Sequence, residues 1–238
     1  MSFTFQLIRL HQLQLLALSP IVAVPAAMLR YQEGVVPDAT FWDLPFALPF
    51  AAYAVGGTLL TATITRMIVP DGVGRYPSLA GSVQAVVNDL PALAAIGLAS
   101  TVVIVLAFLL LVVPGLILGV LLAVPVPVRT IERASFVQSC VRSAVLTKGS
   151  RRVIFGLLIA IIVLEVAGDV AVNIVTGDAI FAGYSEELRS NGAASILVAT
   201  LVATAVSVIG ATGTAVLYCE LRRIKDGPAP TELASEFD

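Results

Sequence analysis

Long apolar runs, each near the length that crosses a bilayer as a helix, follow one another along the chain. They predict six transmembrane helices, at residues 12–29, 44–69, 90–112, 115–129, 153–175 and 192–220. The fourth run is short and is bounded by Pro114-Gly115 and by Pro125 and Pro127, so we expect it to be kinked or incompletely spanning. A count of five, with residues 90–129 forming one span and a re-entrant piece, stays open.

Two segments that precede apolar runs have a pattern typical of amphipathic helices. Before the third span, Leu79, Val83, Val86 and Leu90 recur at helical spacing. Before the fifth, Val137, Val141, Ala144 and Val145 do the same, with Arg142 and Lys148 able to reach lipid headgroups. We expect both segments to lie on the cytoplasmic membrane interface.

The composition supports a membrane protein. Hydrophobic residues make up 58% of the chain and charged residues 13%, whereas soluble domains carry about 25% charged residues. No polar block between the runs is large enough to fold alone. The predicted fold class is therefore all-α, a polytopic integral membrane protein with one domain over residues 1–226 and a flexible cytoplasmic tail over residues 227–238.

Basic residues predict the orientation, because Lys and Arg near span ends are retained in the cytoplasm. Of the 14 Lys and Arg residues, all but Arg30 and Arg189 fall on one side of the six-span arrangement. We expect both termini to be cytoplasmic, in a bacterial cytoplasmic (inner) membrane. Cys140 and Cys219 then lie near the reducing side and are expected to be packing residues.

Two carboxyl groups interrupt the apolar run of the fifth span. Glu165 and Asp169 are one helical turn apart, and Asn173 continues the same face. A carboxylate at mid-bilayer depth costs about 2.5–3.5 kcal/mol, so this face should point towards other helices. Polar residues expected at a similar depth are Ser100, Thr101, Thr58, Thr61, Thr200 and Thr204. Three interpretations stay open: hydrogen bonds that hold helices together, a cavity that binds a ligand or a proton, or a site that faces a partner protein.

The cytoplasmic face is predicted to be basic. Its candidate headgroup ligands are Arg129, Arg133, Arg142, Lys148, Arg151, Arg152, Arg222, Arg223 and Lys225. Together they could bind anionic phospholipid, since each basic residue near a negative membrane contributes about 1 kcal/mol. The alternative is that these charges serve to set the topology.

Two stretches carry a family resemblance. The first contains Pro114-Gly115, Pro125, Glu132, Arg142-Ser143, Leu146-Thr147-Lys148-Gly149 and Arg151-Arg152; the second is YCELRRIKDG at residues 218–227. They resemble the signature of the glycerophosphoryl diester phosphodiesterase membrane-domain family, although Cys219 stands where that family commonly has an aromatic residue. Some members carry a catalytic domain after the membrane domain. Here the residues after Lys225 are too few for one, so we expect the membrane domain alone.

We expect no enzymatic activity and no cofactor. His11 is the one histidine, and no clustered His, Cys or carboxylate set predicts a catalytic metal. The predicted function is a non-enzymatic membrane protein that organises lipids or partner proteins at the cytoplasmic leaflet. The alternative is a small proton-coupled or solute transporter that uses a cavity around Glu165 and Asp169. Expected partners are anionic phospholipids and a membrane protein or second copy of the chain, and no nucleic acid.

Overall fold

The computed structural model of the chain describes residues 18–35, 44–70, 76–176 and 192–227, and the regular elements in this part are all helices. In chain order they are α1 (Pro20–Val35), α2 (Leu44–Ile68), α3 (Leu79–Asn88), α4 (Leu90–Leu110), α5 (Val112–Leu121), α6 (Pro125–Glu132), α7 (Phe136–Leu146), α8 (Arg151–Thr176) and α9 (Gly192–Asp226).

Five segments of the described residues are long and apolar enough to cross a membrane. They are Ala47–Ile68, Leu90–Leu110, Val112–Glu132, Arg151–Val172 and Ile196–Asp226. The chain is therefore an α-helical, membrane-embedded protein. The first predicted span, residues 12–29, falls partly outside the described residues, and its described apolar helix, Pro20–Leu29, is shorter than a full span.

The fourth span is broken, as the prolines predict. It covers residues 112–132 rather than the predicted 115–129, and it consists of α5 and α6 with a turn at Leu122–Val124 between them. Pro125 and Pro127 have no backbone N–H, and they lie in the first turn of α6, where no N–H is needed by the helix itself. At its other end, α5 follows α4 after the single extended residue Leu111. The two helices therefore form a tight hairpin.

Helix α2 lies at the centre of the bundle and packs against α1, α3, α4, α6 and α9. One core cluster joins α1, α2 and α9 through Val22, Leu60 and Ala215, which are 0% exposed. A second joins α5, α6, α7, α8 and α9 around Val128 and Tyr218, also 0% exposed. Between them, α4 approaches α2 closely because Gly97 has no side chain: a Cβ there would lie 2.0 Å from Thr58 Oγ1.

The two predicted interfacial helices differ in which face they bury. On α3, Leu79 and Val83 pack against the α1–α2–α9 cluster and Val86 is 3% exposed, so most of the apolar stripe faces protein rather than membrane. On α7, Val137, Val141 and Val145 are exposed, so its apolar stripe does not pack against the protein.

The opposite face of α7 is polar and fully buried. Ser139, Ser143 and Thr147, spaced four residues apart, are each 0% exposed. These short side chains let α7 approach the rest of the bundle closely. The helix begins with a capping box, in which Ser135 and Gln138 each bond to the other's backbone.

Candidate functional site

A cavity of about 320 Å³, open on one side, lies between α2, α4, α8 and α9, beside the break in the fourth span, and Glu165 in its wall is exposed. Its polar lining consists of the hydroxyl groups of Tyr53, Thr58, Thr61, Ser100, Thr101, Ser207 and Thr214 and the carboxyl group of Glu165. Apolar side chains and the turn before Pro125 complete the wall. A site of this kind can hold a small ligand by hydrogen bonds within the membrane domain.

The structure brings together part of the predicted intramembrane set. Thr58, Ser100, Thr101 and Glu165 line the cavity, and so does Thr61. Thr200 and Thr204 are not in its wall; Thr204 Oγ1 instead donates to the Thr200 carbonyl at 2.7 Å. Asp169 and Asn173 lie on α8, and their side chains are outside the described part of the chain.

Sequence reasoning did not assign Tyr53, Ser207 and Thr214 to the site. The Tyr53 and Ser207 hydroxyls are 2.9 Å apart and join α2 to α9 across the cavity. Ser207 is one of the small side chains that recur every fourth residue on α9, a spacing that allows close helix packing. A hydroxyl in an apolar run gives no sign of whether it faces a neighbouring helix or a cavity.

Most of the cavity's threonine hydroxyls bond to their own helices. Thr58 donates to the Ala54 carbonyl at 2.9 Å, Thr61 to the Gly57 carbonyl at 2.8 Å and Thr214 to the Gly210 carbonyl at 2.9 Å. In contrast, Ser100 Oγ is buried and makes no hydrogen bond to any described residue. An unmade hydrogen bond in a buried position is costly, so Ser100 Oγ is the kind of polar atom for which a partner is expected.

A second polar region lies at the end of the bundle that carries most of the basic residues, which we call the basic end. Arg129 on α6 binds Asp89, between α3 and α4, through two hydrogen bonds, and it also donates to the Ala134 carbonyl at 2.8 Å. Nearby, Arg66 on α2 donates to the Thr130 carbonyl at 3.4 Å.

Glu132, Arg142, Tyr218 and Asp226 form a network that ties α6, α7 and α9 together. Arg142 binds Glu132 at 3.2 Å and also pairs with Asp226, while Tyr218 donates its hydroxyl proton to Glu132 at 3.1 Å. Partial burial lowers the pKa of Arg142, but the two carboxylates more than offset this and raise it above its ordinary value. The guanidinium therefore stays charged.

The predicted headgroup residues divide into three that contact a carboxylate and six that form no ion pair with a described residue. Arg129 and Arg142 are held by carboxylates within the protein, and Arg222 lies 4.0 Å from Asp226. Arg133, in the left-handed conformation with φ 52°, ends α6. The remaining residues form no ion pair with any described residue and are exposed; we call Lys148, Arg151, Arg152, Arg223 and Lys225 the basic patch.

Two separate segments meet in the basic patch. Lys148 belongs to the turn after α7 and Arg151 and Arg152 begin α8, whereas Arg223 and Lys225 belong to the end of α9. Gly149, in the turn after α7, has a φ of +100°. A Cβ at this position would lie 3.9 Å from Nζ of Lys225 at the end of α9. The side chain of Lys225, at the end of α9, therefore lies beside the turn that follows α7.

Comparisons of the chain with protein-family models, with curated proteins and with solved structures find no match. The resemblance to the glycerophosphoryl diester phosphodiesterase membrane-domain family therefore stays a prediction. Within the described ranges, no group of three His, Cys, Asp or Glu side chains could hold a metal ion.

Proposed function

We propose that the protein is a non-enzymatic integral membrane protein that binds anionic phospholipid at its basic end and so organises lipids or partner proteins there. The observation that carries the proposal is the basic patch, in which exposed cations from two segments of the basic end have no carboxylate partner among the described residues.

The division between paired and unpaired cations supports a role in binding. Asp89, Glu132 and Asp226 neutralise Arg129 and Arg142, which connect helices. Cations whose role was only to set the orientation in the membrane could be paired with carboxylates in the same way. The basic patch instead keeps its charge, and each Lys or Arg near an anionic surface contributes about 1 kcal/mol of attraction.

Helix α7 provides an apolar surface next to this charge. Its exposed Val137, Val141 and Val145 share one face, and Lys148 follows directly after the helix. An interfacial helix with apolar residues towards the acyl chains and cations at headgroup level is the usual design of a membrane-surface segment. This arrangement favours a lipid headgroup over a soluble anion as the occupant of the patch.

The experiment is native mass spectrometry of the detergent-released protein with identification of bound lipid. The variant carries Lys148→Gln, Arg151→Gln, Arg152→Gln and Lys225→Gln together. At about 1 kcal/mol per cation, we expect copurifying anionic phospholipid to fall at least about tenfold. Unchanged lipid retention in this folded variant contradicts the proposal.

A double variant of paired arginines is the matched control. Arg129→Gln with Arg142→Gln removes two positive charges from the same end but leaves the basic patch intact. We expect it to lower stability while the folded fraction keeps its lipid. Lipid loss in proportion to the charge removed, two charges here and four in the first variant, would mean that net charge, rather than the patch, binds the lipid.

The proposal includes an orientation, with both termini in the cytoplasm and the protein in a bacterial inner membrane. It rests on the bias of Lys and Arg towards one side of the membrane. A cysteine in place of Arg223, with Cys140 and Cys219 replaced by serine, should react with a membrane-impermeant maleimide in inverted vesicles and not in intact cells. The opposite labelling contradicts this orientation.

A small transporter is the second candidate function, and the place of Glu165 in the cavity wall favours it. Glu165→Gln separates the two functions because Glu165 belongs to the cavity rather than to the basic patch. Loss of a solute or proton response with full lipid retention supports transport, whereas no change in any response removes that candidate.

A further inference from the structure

The wall of the cavity offers more hydrogen-bond acceptors than donors. Thr58, Thr61 and Thr214 use their hydroxyl protons on carbonyl groups of their own helices, at 2.9, 2.8 and 2.9 Å. A hydroxyl has one proton and two lone pairs, so these groups can still accept a hydrogen bond but have no proton to donate. A ligand that meets them must supply the donors.

The charge of the cavity wall also favours a ligand that is rich in hydrogen-bond donors. Glu165 is the carboxyl group among the described residues that line the cavity, and Lys, Arg and His are absent from that lining. An anionic ligand would face oxygen lone pairs and a carboxyl group with no cation to offset them. A positively charged, donor-rich ligand matches both features.

The size of the cavity indicates more than a bare metal ion. At about 320 Å³ it falls at the lower end of the range of small-molecule sites, about 300–1,000 Å³. Apolar side chains, among them Val126, Ile161 and Val206, form part of the same wall. They suit a short alkyl chain and provide no ligand for a metal.

We propose that this cavity binds a small organic ammonium ion. Its N–H groups donate to Glu165 and to the threonine oxygens, and its alkyl part lies against the apolar wall. Ser100 Oγ, which is buried without a hydrogen bond to a described residue, is a further oxygen of the wall and can accept or donate. An ammonium group has three donors and no acceptor, so it matches Glu165 and the three threonine oxygens that have no proton to donate. The proposal goes beyond lipid binding and does not depend on it.

The first test uses the purified full chain in detergent and compares three ligands of similar size at equal ionic strength. They are n-butylammonium chloride, 1-butanol and sodium butyrate, with sodium and potassium chloride as salt controls. We expect n-butylammonium to raise the thermal unfolding midpoint in a saturable manner and the others to leave it unchanged. An equal effect of 1-butanol would show partition into apolar space, and an equal effect of either chloride salt would show a metal-cation site; each result overturns the proposal.

The second test measures the dissociation constant of n-butylammonium by calorimetry in point variants. Glu165→Gln should weaken binding about tenfold or more, because it removes a charge-assisted hydrogen bond while keeping the side-chain shape. Thr214→Val, which removes one acceptor, should weaken it a few-fold. Unchanged affinity in Glu165→Gln contradicts the proposal.

Thr212→Val is the matched control for Thr214→Val. Thr212 lies on the same helix and donates to the Val208 carbonyl at 2.8 Å, but it is not in the cavity wall. Its replacement should leave n-butylammonium affinity unchanged, and equal losses in the two variants would mean that the effect is one of stability. Lipid retention should be normal in Glu165→Gln, so failure of the cavity proposal is distinguishable from failure of the basic patch.

Discussion

Arg129 and Asp89 close the helical hairpin formed by α4, α5 and α6 at the end opposite its Leu111 turn. Two parallel hydrogen bonds join them, from Arg129 Nη2 to Asp89 Oδ1 at 2.6 Å and from Nε to Oδ2 at 2.9 Å. Asp89 directly precedes α4, and Arg129 lies in α6, so the pair links the first and last helices of the hairpin. The side chains are 20% and 36% exposed, so solvent screens the interaction in part.

Breaking this pair should destabilise the hairpin moderately. Asp89→Asn keeps the shape and removes the charge, and we expect the free energy of unfolding in detergent to fall by about 1 kcal/mol after allowance for solvent screening. Arg129→Gln should have a similar or larger effect, because it also loses the bond to the Ala134 carbonyl. The double variant should lose less than the sum of the two single variants.

Arg151→Gln is the control for this cycle. Arg151 is exposed and makes no ion pair with a described residue, so its replacement should change stability by less than about 0.5 kcal/mol. Strictly additive losses in the Asp89 and Arg129 variants would show that the observed bonds contribute no coupling energy.

Ser143 should contribute more to stability than its small side chain suggests, because it forms hydrogen bonds to the backbone on both sides of the break in the fourth span. Its hydroxyl donates to the Leu121 carbonyl at 2.7 Å and accepts from the Val124 N–H at 3.2 Å. Ser143→Ala leaves both backbone groups without this partner in a buried position. We expect a loss of about 1–3 kcal/mol in the free energy of unfolding, measured by thermal or denaturant unfolding.

Ser139→Ala provides the comparison on the same face of α7. Ser139 is also 0% exposed, but its one hydroxyl bond, to the Ala134 carbonyl, is long at 3.4 Å. Ser139→Ala should therefore lower the free energy of unfolding by clearly less than Ser143→Ala does. If both variants lose the same stability, packing of the face, rather than the bridge across the break, explains the effect.

The sequence pattern located α7 but did not predict what its polar face does. Helical periodicity identifies Val137, Val141 and Val145 as one stripe, and a stripe of serines opposite it is usually expected to face water. Here Ser143 faces a break in the backbone that is 22 residues away in sequence. Periodicity describes one helix at a time, so it cannot show that a neighbouring helix has unpaired backbone groups.

The same limit applies to the charges and the cavity. The count of basic residues on each side of the membrane treats Arg142 and Lys148 alike. The carboxylate partners of Arg142 lie 10 and 84 residues away in sequence, and they come into contact with it only when the helices pack. Glu165 was predictable because a carboxyl group in an apolar run is rare. Tyr53 and Thr214 were not, because hydroxyls are common in membrane helices and the crossing of α2 with α9 decides which of them face a cavity.

Gly97 should be intolerant of any side chain. A Cβ at this position would lie 2.0 Å from Thr58 Oγ1 and 2.9 Å from Thr58 Cβ, so Gly97→Ala forces α4 away from α2. We expect a loss of about 1–3 kcal/mol in stability, measured by thermal unfolding. The cavity wall includes both residues, so n-butylammonium binding should weaken in the same variant.

Gly210→Ala and a second-site change test this explanation. A Cβ at Gly210 meets no atom within 4 Å, so its replacement should leave stability unchanged or raise it slightly. Adding Thr58→Ala to Gly97→Ala removes the contact with Oγ1 but keeps the one with Cβ, and should restore stability in part. A fully destabilised double variant would place the cause elsewhere than in the α2–α4 contact.

Cys140 should be a slowly reacting thiol. Burial raises the pKa of its side chain, and the thiolate is the reactive form, so at neutral pH a smaller fraction is reactive than in an exposed cysteine. In a Cys219→Ser background, alkylation by iodoacetamide at pH 7 should be slower than that of a cysteine placed at the exposed Lys148 position, with both native cysteines replaced by serine. The Cys140 rate should continue to rise with pH beyond about 8.5, the ordinary pKa of a thiol, where the control rate levels off. Equal rates at pH 7 would contradict a packing role and indicate an accessible, activated thiol at the basic end.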